Sequence, residues 1–218
     1  MPVQDWMSKD LVTIDEDTSI MKASKVMKQN NIQHLPVLKK GRLVGIVSDR
    51  DLKEATPSKA TALDIHEMYY LLDTIAVKSL IPKHLYTIAS GDTVEKAAAV
   101  MLQHHISALP VVDPQGALAG ILTKGDVFRA FVSISGFYQG PLAMGLELPD
   151  QPGYIKQVTD VIRVHGGRIA SIMTRYEGAP EGFKSVYIRA QHVKDEKALR
   201  QELEGKHKIL YYFTEKAD

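Results

Sequence analysis

The chain has 218 residues, of which 44% are apolar and 24% are charged. This composition is typical of globular proteins and argues against disorder, while the lack of cysteine excludes disulfides, zinc thiolates and thiol nucleophiles. The 27 basic and 26 acidic residues nearly balance, so nothing in the overall charge favours binding to nucleic acid or to an anionic membrane. No apolar run is long enough for a membrane span or a signal peptide, so we expect a soluble, cytoplasmic protein.

The N-terminal part of the chain repeats itself. Residues 3–38 match residues 77–112, and residues 41–51 match residues 116–126. The matches include a Leu-Pro-Val sequence at Leu35 and again at Leu109. They also include the segments GIVSDRD, which begins at Gly45, and GILTKGD, which begins at Gly120. We call the two repeats copy one and copy two.

Each copy is predicted to fold as β-α-β-β-α. A short strand, Leu11 to Ile14 or Leu85 to Ile88, leads through a polar capping sequence into a helix with one apolar face. Two strands and a closing helix follow, the helix beginning near Asp49 or Lys124. Because a unit of this size buries little surface alone, the copies are expected to pack together as a pseudo-twofold module.

The linker between the copies, residues 55–76, is predicted to contain an amphipathic helix that packs across the module or between subunits. Its apolar stripe consists of Ile65, Met68, Tyr69, Leu72 and Ile75. His66 is expected on the surface or at a helix cap. The adjacent His104 and His105 would point in different directions on a helix, so no metal site is predicted.

The C-terminal part has the predicted order βαββαβ, which indicates a ferredoxin-like domain beside the repeats and an α+β protein overall. The predicted strands are Leu142 to Leu148, Arg168 to Tyr176, Phe183 to Gln191 and Lys208 to Phe213, and the helices are Tyr154 to His165 and Asp195 to Leu203.

The paired glycine-to-aspartate segments, each preceded by Leu-Pro-Val, resemble CBS domains, and together they resemble a CBS pair, or Bateman module. The resemblance implies domains at residues 1–54 and 77–135, with an adenine nucleotide between them as a regulatory ligand: AMP, ADP, ATP or S-adenosylmethionine. A hydroxyl and helix N-terminal amides suit phosphate, and a carboxylate suits ribose hydroxyls. The contacts implied are Asp51 and Asp126 for ribose, Ser48 and Thr123 for phosphate, and Thr13 and Thr87 for adenine.

The two implied sites are unequal. Copy one adds His34 and Arg50 as candidate phosphate contacts, whereas copy two has Ala108 and Gly125 at the matching positions. We therefore expect the first site to bind phosphate better. The alternative is that each motif aspartate only caps its helix, because an acidic residue in the first turn is a common helix stabiliser.

In the C-terminal part, Asp150-Gln151-Pro152-Gly153 followed by a helix and by Gly167-Arg168-Ile169 resembles an ACT domain over residues 138–218. The resemblance implies an effector site at Asp150, Gly153 and Arg168. The asparagine usual in that family is Arg168 here, which either clasps a carboxylate or is simply a solvated cation, the commoner case. The order CBS, CBS, ACT is similar to the acetoin-utilisation B protein family.

No recognised catalytic motif occurs, so we expect a non-catalytic regulatory protein. Nucleotide binding would be relayed through the ACT domain to a second subunit of a homodimer or to a partner enzyme, in acetoin utilisation or related carbon metabolism. No cofactor is expected to be obligatory, and neither nucleic acid nor membrane is expected as a partner. The alternatives are a constitutive dimerising scaffold without ligand and an enzyme with an unrecognised site.

Overall fold

The computed structural model describes residues 1–55 and 72–215, which divide into two compact units, Met1–Val127 and Phe128 onward. Most of the predicted linker helix, including Ile65, His66, Met68 and Tyr69, lies outside the described residues. The linker residue Leu72 is buried and belongs to the core of copy one. Among the described residues, no helix is long and apolar enough to cross a membrane.

Copy one forms a three-stranded sheet of order β1-β2-β3 with two helices. The elements are β1 (Ile14–Asp15), α1 (Ile20–Asn30), β2 (His34–Lys39), β3 (Arg42–Ser48) and α2 (Asp49–Glu54). Helix α1 begins after Ser19, whose hydroxyl accepts a hydrogen bond from the Lys22 amide, and its apolar face buries Ile20, Ala23 and Met27. The predicted helix face is therefore confirmed.

Copy two repeats this arrangement with the sheet order β4-β5-β6. Its elements are β4 (Ile88–Ala89), α3 (Val94–Gln103), β5 (Ala108–Val112), β6 (Leu118–Thr123) and α4 (Lys124–Ile134). The predicted bounds of the first strands were wrong, because only Ile14–Asp15 and Ile88–Ala89 pair with a neighbouring strand. In copy one, the preceding residues Leu11 and Val12 instead line a cleft described below.

Each copy is completed by a segment that precedes the other copy. The N-terminal segment bonds to copy two, where the Ser8 amide donates to the Ile121 carbonyl at 2.9 Å and the reverse bond is 3.0 Å. Residues 75–81 bond to copy one, where the Val77 amide donates to the Thr18 carbonyl at 2.8 Å. Val3 and Val77 are fully buried. This exchange was not predicted, and it ties the two copies into one module.

The second unit contains a four-stranded antiparallel sheet of order β10-β7-β9-β8, which is the ferredoxin-like arrangement. Its elements are β7 (Leu142–Pro149), α5 (Tyr154–Val164), β8 (Arg168–Arg175), β9 (Phe183–Gln191), α6 (Glu196–Glu204) and β10 (Lys208–Thr214). Alternate residues of β7 pack in one core with residues of both helices, among them Val158, Ile162, Leu199 and Leu203. The predicted βαββαβ order is confirmed.

The opposite face of this sheet carries aromatic side chains. The rings of Tyr187 and Tyr211 are nearly parallel with centroids 6.1 Å apart, and Tyr211 also contacts Phe213. Tyr211 further shares a pocket of about 350 Å³ with Phe131 and Tyr138. Four of these side chains, Phe131, Tyr138, Tyr211 and Phe213, are more than a third exposed, and we call them the aromatic face.

Candidate functional site

A cleft of about 1210 Å³ in the first unit is lined by residues of both copies. Copy one contributes helix α1, the start of β2 and the first turn of α2. Copy two contributes Ser107, Ile121 and the β6–α4 junction at Thr123, Lys124 and Gly125. The cleft therefore places an apolar surface beside hydroxyl groups and the N-terminus of a helix, which are the groups that a nucleotide needs.

His34 connects the two copies inside this cleft. Its Nε2 lies 2.7 Å from the Ser107 hydroxyl oxygen. Burial lowers the pKa of His34 below its ordinary value, and the carboxylates of Asp49 and Asp51 oppose this shift only in part. The direction of the shift favours a neutral imidazole at pH 7. A neutral His34 can donate to or accept from the Ser107 hydroxyl, and it places no positive charge in the cleft.

Both motif aspartates form capping boxes. In copy one, the Ser48 amide and hydroxyl each donate to Asp51 Oδ2 at 2.7 Å, and the Asp51 amide donates to the Ser48 hydroxyl at 3.3 Å. Thr123 and Asp126 repeat this geometry in copy two at 2.7, 2.8 and 3.3 Å. The shared spacing of the two motifs thus has a structural role at the start of α2 and α4.

The cleft brings together two of the predicted site residues, His34 and Thr123. The other predicted residues lie outside its lining: Thr13, Ser48, Arg50, Asp51, Thr87 and Asp126. Asp51 and Asp126 sit beneath the helix starts, in contact with the hydroxyls rather than on the cleft surface. Arg50 points away, with its side chain 83% exposed and paired with Glu54 at 2.7 Å.

Several residues that line the cleft were not predicted. The polar ones include Ser107, Asp49 and four lysines, Lys25, Lys28, Lys53 and Lys124. Lys25 and Lys28 are spaced one turn apart on α1, which is a signal available in the sequence. It could not be recognised without the cleft, because exposed lysines on a helix usually face only solvent.

In the second unit, the predicted effector residues occupy three separate local settings. Asp150 pairs with Lys184 at 2.8 Å. Gly153 precedes α5 with a φ of 95°, a conformation that favours glycine, and a Cβ there would meet no atom within 4 Å. Arg168 is exposed at the start of β8, opposite Gln191. Within the described part of the chain, no group of three His, Asp or Glu residues is arranged to hold a metal.

Comparison with known proteins identifies the family. The CBS domain model matches residues 3–58 and 77–133. The chain belongs to the CBS-domain family. A CBS domain-containing protein of Dictyostelium discoideum is 34% identical over 133 residues, which cover 61% of this chain and 92% of that protein.

Other similar proteins place the CBS pair in different contexts. Homoserine O-acetyltransferase of Methanohalophilus mahii is 32% identical over 61% of this chain, but the match spans only 24% of the enzyme. The CBS domain pair of the protein MJ0100 was solved in complex with 5′-methylthioadenosine and S-adenosyl-L-methionine. It is 29% identical with a TM-score of 0.50, over 60% of this chain and 95% of that one. The predicted CBS pair is confirmed.

The lowered pKa of His34 predicts how the stability of this CBS pair varies with pH. As pH falls through the ordinary histidine range, His34 binds a proton more readily in the unfolded chain, so the free energy of unfolding decreases. His34→Ala, which installs the residue of copy two, should make the decrease smaller. Urea unfolding between about pH 7.5 and 5.5 measures it. The same substitution at exposed His84 is the control, and an equal slope for wild type and His34→Ala would contradict the prediction.

Proposed function

We propose that this protein is a non-catalytic regulatory sensor that binds an adenine nucleotide or a related adenosine compound between its CBS repeats. The observation that carries the proposal is the cleft itself, in which apolar side chains of both copies lie beside His34, Ser107 and the N-terminus of α4. The related pair of MJ0100, solved with two adenosine compounds, supports the ligand class.

The cleft offers separate surfaces for the parts of such a ligand. Val12, Ile32, Pro36 and Ile121 offer an apolar surface to an adenine ring, with Thr13 and Thr87 in the segments that precede β1 and β4. At the start of α4 the Gly125 amide suits phosphate, because the Lys124 amide donates to the Ser107 carbonyl and the Asp126 amide to Thr123. Thr123 stays a candidate phosphate contact once its hydroxyl turns from Asp126 to the ligand. Asp51 would accept from ribose through the carboxylate oxygen outside its capping box, while Asp126, Ser48, Arg50 and Thr87 stay candidate contacts.

The second unit would relay the binding event, and helix α4 supports this role. Lys124 and Gly125 at its start line the cleft, whereas its later residues from Phe128 belong to the second unit. A ligand that favours one position of this helix would change what the second unit presents. We infer that the second unit is an ACT domain at residues 138–218, with Asp150, Gly153 and Arg168 as its effector site.

We infer that the functional form is a homodimer, because exposed aromatic patches on a sheet mark association surfaces. The aromatic face would contribute to that interface, and a regulated partner enzyme would bind the dimer. The order of the modules, two CBS domains and then an ACT-like unit, supports membership of the acetoin-utilisation B protein family and a role in acetoin utilisation or related carbon metabolism. The boundaries 1–54, 55–76 and 77–135 for the CBS part belong to the same proposal.

A second candidate is a constitutive scaffold that dimerises without ligand. The observation that favours it is the pair of capping boxes, which give Asp51 and Asp126 a structural role independent of any nucleotide. The two candidates make opposite statements about binding, so a binding experiment separates them.

Isothermal titration calorimetry on the full chain tests the proposal. We expect AMP, ADP, ATP, S-adenosylmethionine or 5′-methylthioadenosine to bind with micromolar or tighter affinity, and the ligand to raise the melting temperature through mass action. If none of the five gives heat or a thermal shift, the sensor is wrong and the scaffold is favoured.

A further inference from the structure

The cleft has an unequal distribution of charge that selects among adenosine compounds. Among the described residues, its lining includes four lysines, Lys25, Lys28, Lys53 and Lys124, and two aspartates, Asp10 and Asp49. Lys53 and Asp49 pair with each other at 2.7 Å. The remaining three lysines form no ion pair with any described residue, so their charges are available to a ligand.

The internal repeat provides a comparison within the same chain. At the positions that correspond to Lys25, Lys28 and His34, copy two has Ala99, Leu102 and Ala108. At the position of Lys53, copy two has Phe128, which is 67% exposed. Three of the four cleft lysines therefore belong to copy one, and the fourth, Lys124, comes from the start of α4 in copy two.

Copy two also differs in bulk beside its own helix α3. The position that corresponds to the cleft residue Val12 is Tyr86, whose ring stacks on His104 with centroids 3.9 Å apart. An aromatic pair thus replaces a small side chain at this corner of the pseudo-twofold module. Beside α3, copy two therefore lacks both the lysines of α1 and the space left by the small Val12 side chain. The matching position in copy two is a poorer phosphate site for these two reasons.

We propose that this cleft, beside helix α1, is a single, phosphate-selective site that binds AMP, ADP or ATP in preference to 5′-methylthioadenosine or S-adenosylmethionine. A nucleoside monophosphate carries nearly two negative charges at pH 7, which Lys25, Lys28 and Lys124 would partly neutralise. The neutral thioether of 5′-methylthioadenosine gains no attraction from these lysines. The cationic sulfonium of S-adenosylmethionine is repelled by them. This inference rests on the proposed function, and it names the ligand class.

Calorimetry with AMP and 5′-methylthioadenosine measures the selectivity, because the two share adenosine and differ in charge at the 5′ position. We expect one AMP per chain, bound about tenfold tighter than 5′-methylthioadenosine, since each exposed ion pair contributes up to about 1 kcal/mol. Added salt should weaken AMP binding and leave 5′-methylthioadenosine binding nearly unchanged.

The decisive variant is Lys25→Ala/Lys28→Leu, which gives α1 the side chains of α3. It should weaken AMP about tenfold and change the affinity for 5′-methylthioadenosine by less than about twofold, which also shows that the cleft is folded. Lys22→Ala is the control, because Lys22 is on the same helix but outside the cleft lining.

The outcomes separate this inference from the proposed function. If 5′-methylthioadenosine or S-adenosylmethionine binds as tightly as AMP, or if the double variant keeps wild-type affinity for AMP, phosphate selection is wrong while adenosine binding stands. Two AMP molecules per chain would overturn the single site. If no adenosine compound binds at all, both the selectivity and the proposed function fail.

Discussion

Replacing Gly45 with alanine is expected to lower the free energy of unfolding by about 3 kcal/mol, because the new methyl group has no room. A Cβ at Gly45 would lie 2.5 Å from Ile81 Cγ2 and 3.0 Å from Ile81 Cγ1. Ile81 belongs to the segment that crosses onto copy one, and its β-branched side chain has few alternative rotamers. The segment would have to move away from β3, which would weaken the packing of residues 75–81 on copy one.

Two other glycines make this prediction specific. At Gly120 the matching Cβ would meet Met7 Sδ at 2.5 Å and the Ser8 carbonyl oxygen at 3.0 Å. Methionine can move aside, so Gly120→Ala should cost less, about 1 to 2 kcal/mol. At Gly91 a Cβ would meet no atom within 4 Å, so Gly91→Ala should change stability by less than about 0.5 kcal/mol. Urea unfolding of the three variants measures the series, and equal stabilities for Gly45→Ala and Gly91→Ala would contradict the steric explanation.

The same glycines show what the sequence could and could not predict. The motif glycines and the repeated Val3 and Val77 were visible as matching positions in the two copies. Their partners were not visible, because a repeat does not indicate whether a leading segment packs on its own copy or on the other. Here it packs on the other, so Gly45 contacts Ile81 and Gly120 contacts Met7.

The second unit was easier to predict than the cleft. Strict alternation in strands such as Phe183–Gln191 and the apolar stripe of α5 each correspond to one type of element, so their predicted and observed bounds nearly coincide. The first strand of each copy was predicted to begin too early. In copy one, apolar Leu11 and Val12 line the cleft instead of pairing in the sheet, and in copy two the Tyr86 ring stacks on His104. An apolar residue indicates burial, but it does not indicate whether strand, helix or ligand covers it.

The lining of the cleft was predicted only in part for a related reason. His34 and Thr123 were identified through the motif, whereas Lys25, Lys28 and Ser107 come from positions that the motif does not include. Residues converge on a cleft from several elements, and their convergence depends on how the two copies pack. The sequence of each copy alone does not indicate how the two copies pack against each other.

The largest expected effect of a single carboxylate is at Asp126. Asp126→Ala should lower the free energy of unfolding by about 2 kcal/mol, because it leaves the part-buried Thr123 amide and hydroxyl without the oxygen that accepts both bonds. Asp126 is only 7% exposed, so water can replace that oxygen only poorly. The same change at half-buried Asp51 should cost about 1 kcal/mol, and thermal or urea unfolding compares the two.

Asp126→Ala alone cannot distinguish the nucleotide sensor from the ligand-free scaffold, because it removes the helix cap and any ribose contact together. Asp126→Asn keeps a carbonyl oxygen that can accept from Thr123, but its amide group cannot accept from two ribose hydroxyls as a carboxylate can. We therefore expect a melting temperature close to that of wild type and an AMP affinity lower by about tenfold, because hydrogen bonds to charged groups contribute about 1.5 to 3 kcal/mol. Unchanged affinity with unchanged stability would show that Asp126 only caps α4. The nucleotide would then be held by the hydroxyls, the lysines and the helix N-terminus.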